Sequence, residues 1–222
     1  SGRDDFMRFF PQKALEAVVG AQKAGFERIN VDLMFGIPEQ TFDSFQRTVG
    51  EVLALPIEHL SIYGLQIEEG TVFSSCEEQG ELVLPSEENV VQMYDWLLEY
   101  LPANGFGRYE ISNFAKPGGE SRHNLKYWHY QPYLGFGSGA CGFDGEVRQE
   151  NPERVSEYVS WVKQLQANPQ KIAYEKLTSN QKMAEFCFMG LRTVEGILLK
   201  DFYNYFGVYL LDVYGESIKK AL

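Results

Sequence analysis

An α/β fold with a parallel sheet is predicted by two adjoining features of this sequence. An alternating run, "RINVDLMFG", is followed by residues at helical spacing from Thr41 to Leu55, and then by a second β-rich run, "HLSIYGLQIEEGT". Strand, helix and strand in immediate succession make a βαβ unit, whose crossover leaves its two strands parallel. A third feature qualifies the fold: from Tyr174 onward the pattern is helical, which sets the C-terminal part apart.

Taken in order, Pro11 suits a first helical turn, and Leu15, Val18 and Val19 recur at helical spacing until Gly25, where a C-terminal cap is expected. In the first strand Val31, Leu33 and Phe35 share one side while Asn30, Asp32 and Met34 share the other, and "GIPEQT" ends it. Phe45, Val49, Val52 and Leu53 form the apolar stripe of the following helix. Asp32 and Gln66 then fall at late positions of consecutive strands, where α/β sheets gather ligands, so they are candidates for a common polar crevice or for ordinary loop capping.

Ser86 can cap a helix carrying Val90, Met93, Tyr94, Leu97, Leu98 and Leu101 that ends near Gly105. "RYEISNFA" reads as one further strand. Asn151 and Pro152 can open a helix with Val155, Tyr158, Val159 and Val162 on one face, and "NPQ" near Pro169 reads as a linker. "TSNQ", Thr178 to Gln181, fits a capping box, and "EGILLKDFYNYFG" and "VYLLDVYGESIKKAL" suggest two more helices. Three small helices in a row could form a helix-turn-helix, but their charge is balanced, which disfavours DNA binding and favours a packing domain.

Charge points the same way. The chain carries 20 basic and 31 acidic residues, and no Lys or Arg lies between Arg47 and Arg108, a stretch that holds eleven acids. Such a block repels phosphate backbones and anionic lipid, so nucleic acid and membrane surfaces are poor candidates for partners of that region, and a solvated acidic face accounts for it as well. No apolar run approaches a membrane span, and no signal peptide is evident, which predicts a cytoplasmic protein. Cys76, Cys141 and Cys187 are too widely spaced for a disulfide framework or a zinc site.

The densest chemistry lies in "SRHNLKYWHYQPYLGFGSGACGF", Ser121 to Phe143. Gly137, Gly139 and Gly142 spell G-x-G-x-x-G, yet "FDGEVRQENP" follows where a Rossmann fingerprint needs a helix, so phosphate binding is not expected. The glycines instead suit close backbone approach to a neighbouring element or a flat ligand. His123 could ligate iron, with Asn124, Tyr127 and Trp128 beside it and aromatic faces for a planar macrocycle, or these could be ordinary packing residues. His123 and His129 have no thiol or carboxylate at zinc spacing.

Five ordered blocks, "INVDLMFGIPEQT", "HLSIYGLQIEEGT", "YEISNFAKPGGESRHNLKYW", "YLGFGSGA" and "EFCFMGLRTVEG", resemble the radical S-adenosylmethionine proteins related to oxygen-independent coproporphyrinogen III oxidase, in the HemW-type heme chaperone branch. The resemblance implies a partial (βα) barrel over residues 1–150, including the heme-motif segment, and a helical, winged-helix-like C-terminal domain over 151–222. It implies S-adenosylmethionine contacts at Asp32, at Gln66, where the residue type differs from the oxidase, and at Cys141, through backbone or packing. "HNLKYW" matches the H-N-x-x-Y-W motif of the heme-binding branch, which makes His123 the implied ligand of heme iron and Asn124, Tyr127 and Trp128 its neighbours. The implied partners are heme and a heme-acceptor protein.

The C-x-x-x-C-x-x-C triad that holds the family's [4Fe-4S] cluster does not occur in this chain. The expectation is therefore a piece that begins partway through the barrel and stops before the winged-helix domain closes, unable to cleave S-adenosylmethionine by itself. Its exposed sheet would favour a dimer. The alternative activity within the same resemblance is oxidative decarboxylation of coproporphyrinogen III.

Overall fold

The computed structural model describes residues 11–167 and 175–221. The chain divides into two compact units, with the division between Glu120 and Ser121 rather than at residue 150. The heme-motif segment thus opens the second unit instead of closing the first.

The first unit runs α1 (Pro11–Lys23), β1 (Asn30–Phe35), α2 (Phe42–Leu53), β2 (His59–Gly64), α3 (Val72–Glu78), α4 (Glu87–Ala103), β3 (Gly107–Arg108) and β4 (Asn113–Ala115). Its sheet has the order β1-β2-β4-β3. β1 and β2 are parallel, as the βαβ pattern requires, but β4 runs antiparallel to both β2 and β3. The sheet is therefore mixed, which corrects the expectation of a parallel one. "RYEISNFA" is likewise two short strands: the Ser112 N–H donates to Glu110 Oε1 at 2.9 Å, and this local bond turns the chain between them.

α2 starts where Thr41 accepts from the Ser44 N–H and the Ser44 hydroxyl accepts from the Thr41 N–H, a reciprocal pair that satisfies two otherwise orphaned donors. Phe45 and Val49 of α2 meet Leu60 and Ile62 of β2 and Met93 and Leu97 of α4 in the main core. Each such side chain contributes about 1.5–3 kcal/mol by leaving water. β1 alternates as predicted, with Phe35 buried and Asn30, Asp32 and Met34 exposed on the opposite face. α3, capped by Thr71, was not expected, because no residue of this short helix is buried and it has no apolar stripe.

The second unit runs α5 (Arg122–Trp128), β5 (Cys141–Phe143), β6 (Val147–Glu150), α6 (Val155–Ala167), β7 (Glu175–Lys176), α7 (Ser179–Gly190), α8 (Leu199–Phe206) and α9 (Leu210–Ala221). β5, β6 and β7 form an antiparallel sheet in that order. The capping box read from "TSNQ" is present at α7. Gly207, with a φ of 69°, closes α8 in the left-handed conformation. Phe202, fully buried, packs with Met183 and Leu210 where the last three helices meet. α6 begins at Val155 rather than at Asn151, whose side chain instead donates to the carbonyl of Gly137 at 2.8 Å. The linker expected near Pro169 lies outside the described residues.

Candidate functional site

The H-N-x-x-Y-W stretch folds as α5, a helix of seven residues that the sequence pattern did not reveal. A helix this short is marginal without help at its ends. Ser121 provides it by accepting from the Asn124 N–H at 3.2 Å. Four-residue spacing then stacks His123 and Tyr127 on one side of the helix. The Tyr127 hydroxyl lies 2.9 Å from His123 Nε2, and the two rings meet edge to face with centroids 4.8 Å apart.

His123 is exposed, and its Nε2 faces the Tyr127 hydroxyl, which an incoming ligand of that nitrogen would displace. From Tyr127 the aromatic contacts continue to Tyr133, at 4.6 Å between centroids, and from Tyr133 to the buried Phe143. Tyr133 and Phe143 line a cleft of about 610 Å³, whose far wall is Tyr158, Trp161, Val162 and Leu165 of α6. Leu134 and Phe136, at its mouth, are 80% and 82% exposed.

Trp128 and Asn124 have different settings. The Arg192 guanidinium sits over the Trp128 ring at 4.6 Å, a cation–π contact that fixes the indole against the residues after α7. The indole Nε1–H is buried and has no hydrogen-bond partner among the described residues. Trp128 also lines a second cavity, of about 420 Å³, together with His129, Phe186, Glu195 and Asp201. Asn124 is half-buried, and its backbone N–H takes the Ser121 cap.

The G-x-G-x-x-G residues serve the hairpin. The Gly137 N–H donates to the Tyr158 hydroxyl at 3.1 Å, and Gly142 lies in β5, so no helix N-terminus is available to phosphate. A Cβ at Gly135 would collide with the carbonyl of Cys141, so the close approach is to a neighbouring strand. Cys141 opens β5 opposite Glu150, with its side chain exposed.

In the first unit the register separates the predicted pair. Asp32 is mid-strand and opposite Ser61, whereas Gln66 lies two residues past the end of β2 and is exposed. Roughly 3.3 Å per residue puts them well apart along the strand direction, so they are not at equivalent positions. What does surround Asp32 was missed in the sequence: Asn30 Nδ2 donates to Asp32 Oδ1 at 2.6 Å, and Asn30 Oδ1 is 2.6 Å from His59 Nδ1. His59 Nε2 in turn is 2.7 Å from the Tyr109 hydroxyl. The parallel register that sets Asn30 opposite His59 assembles this cluster, and it is a property of the fold that neither segment displays alone. Burial, the dominant influence, lowers the His59 pKa against the opposing pull of Asp32 and Glu110.

Residues 177–222 match the HemN C-terminal domain family. The chain is 36% identical over 209 residues to the heme chaperone HemW of Lactococcus lactis, covering 93% of this chain and 54% of that protein. It is 38% identical over 199 residues to HemW of Bacillus subtilis, covering 90% and 52%. The chain thus spans about half the length of these curated relatives. Its fold is similar to the solved structure of coproporphyrinogen III oxidase (HemN) from Escherichia coli, described as a radical SAM enzyme, with a TM-score of 0.71 at 18% identity over 94% of this chain and 50% of that one. This is a mixed α/β chain with a HemN-like fold. Over the matched residues the chain is similar to the HemW-type proteins, and its last part to the HemN C-terminal domain family.

Proposed function

We propose that the chain belongs to a cytoplasmic heme-binding chaperone that passes heme to an acceptor protein, with His123 as the iron ligand. The observation that carries this reading is the exposed His123 imidazole on α5, held by Tyr127 and continued by aromatic rings into an apolar cleft. Imidazole is a ligand for heme iron, and aromatic faces accept the flat, apolar macrocycle. Asn124, through the α5 cap, and Trp128, through Arg192, keep the helix in place beside the ligand. The relatives' description as heme chaperones supports the same reading.

In this proposal the first unit is part of the (βα) barrel, the helices from α7 onward form a winged-helix-like domain, and Asp32 and Gln66 of the first unit approach S-adenosylmethionine. Asp32 fits that role: its carboxylate is exposed on β1 and can accept from hydroxyl or ammonium donors. A [4Fe-4S] cluster does not fit the cysteines present, since Cys76, Cys141 and Cys187 have no cluster-binding spacing. No chemistry through a cluster is assigned to this chain.

β1 is an edge strand of the described sheet, and Met34 and Tyr63 are exposed on β1 and β2, which supports self-association of the chain. Titration with hemin, followed by absorption spectroscopy, tests the chaperone reading: His123→Ala should abolish a saturable Soret shift. Undiminished binding by that variant would remove His123 from the site.

A further inference from the structure

The hydrogen bonds around Asp32 have only one consistent direction. A carboxylate accepts and does not donate, so Asn30 must turn its NH₂ toward Asp32 and its Oδ1 toward His59. That oxygen can only accept, so His59 Nδ1 must carry a proton. In a neutral imidazole Nε2 is then an acceptor, and the Tyr109 hydroxyl donates to it. The Ser61 hydroxyl adds a second, longer donation to Asn30 Oδ1 at 3.3 Å. His59 and Tyr109 are both buried, whereas Asn30 and Asp32 are exposed, so the chain of bonds runs from the interior to the open face of β1.

We propose that His59 and Asn30 are positioning residues: the directed chain Tyr109–His59–Asn30 holds the Asp32 carboxylate in one orientation on the open face of the sheet, set to accept from the hydroxyl or ammonium donors of S-adenosylmethionine. The ligand rests on the reading of Asp32 given above; the orientation rests on the bonds themselves. Anchoring at a buried imidazole reduces the freedom that an exposed carboxylate would otherwise lose on binding. Other charges that act on His59 are Glu110 and Glu120, which favour its protonation, and Arg28, which opposes it. Arg28 is occupied by the carbonyls of Gly118 and Glu120, at 3.1 and 3.2 Å.

The test combines nitrogen-15 NMR of the histidines in the full chain with calorimetric titration of S-adenosylmethionine. His59 should be the neutral Nδ1–H tautomer near neutral pH, and Asp32→Asn should lower its titration midpoint by removing a favourable charge. Tyr109→Phe should leave Nε2 without its donor while the bond to Asn30 Oδ1 keeps the proton on Nδ1. Asn30→Ala, a change at an exposed position, should weaken S-adenosylmethionine binding about tenfold with the fold intact. A protonated Nε2 in the unaltered chain, or a His59 titration indifferent to Asp32→Asn, would overturn the positioning role. Correct tautomer and coupling without any S-adenosylmethionine binding would leave the positioning of Asp32 standing and overturn its assignment to that ligand.

Discussion

The Tyr127 hydroxyl lies 2.9 Å from His123 Nε2. Nε2 is the ring nitrogen remote from the backbone, and is therefore the one a flat macrocycle can approach. Heme binding through it requires Tyr127 to let go. A hydrogen bond of this kind contributes about 0.5–1.5 kcal/mol net, so Tyr127→Phe should tighten hemin binding by roughly two- to tenfold. The measurement is the dissociation constant from the Soret titration, with weaker binding in the variant as the opposing result.

Ser121 has a different relation to the same site. It is the N-cap of a seven-residue helix, accepting from the Asn124 N–H. Ser121→Ala should cost about 1 kcal/mol of local stability and fray the turn that carries His123. Faster amide exchange across residues 122–128, together with weaker hemin binding, would check this.

At Gly135 a side chain has no room, because its Cβ would overlap the Cys141 carbonyl in backbone that cannot swing aside. Gly135→Ala should destabilise the second unit by about 1–3 kcal/mol. The midpoint of denaturant unfolding followed by tryptophan fluorescence measures it. Gly20→Ala, in α1 with open space around it, should be neutral or stabilising.

Acid should weaken the first unit through His59. Its folded pKa lies below the ordinary 6.5, so the unfolded chain takes up a proton first as the pH falls. Stability is then complete above about 6.5 and declines as the pH drops from there toward the folded value. Stability curves of the chain and of His59→Gln between pH 5 and 8, a window set by the ~6.5 reference value for His, should diverge: the variant should show a shallower acid loss.

Local signals in the sequence were read correctly wherever one element explains itself. The alternation of β1, the stripe of Phe45, Val49 and Val52, and the caps at Ser86 and Thr178 all depend on residues a few positions apart. What escaped depends on distant partners. β4 takes its direction from β2, more than fifty positions earlier in the register His59 to Ala115, and no periodicity encodes that choice. α5 is too short and too aromatic to show a helical stripe. His123, Asn124, Tyr127 and Trp128 were visible as a motif, but the His123–Tyr127 bond and the seat of Trp128 beneath Arg192 needed the fold. His59 was invisible for the same reason, since only the parallel register brings it to Asn30.

The central claim, that His123 takes heme iron, is tested most directly by titrating this chain with hemin beside its His123→Ala variant. The account predicts a saturable Soret shift in the unaltered chain that is lost in the variant while the far-ultraviolet circular dichroism of the two stays the same. An equal shift in both, or none in a correctly folded unaltered chain, would contradict it.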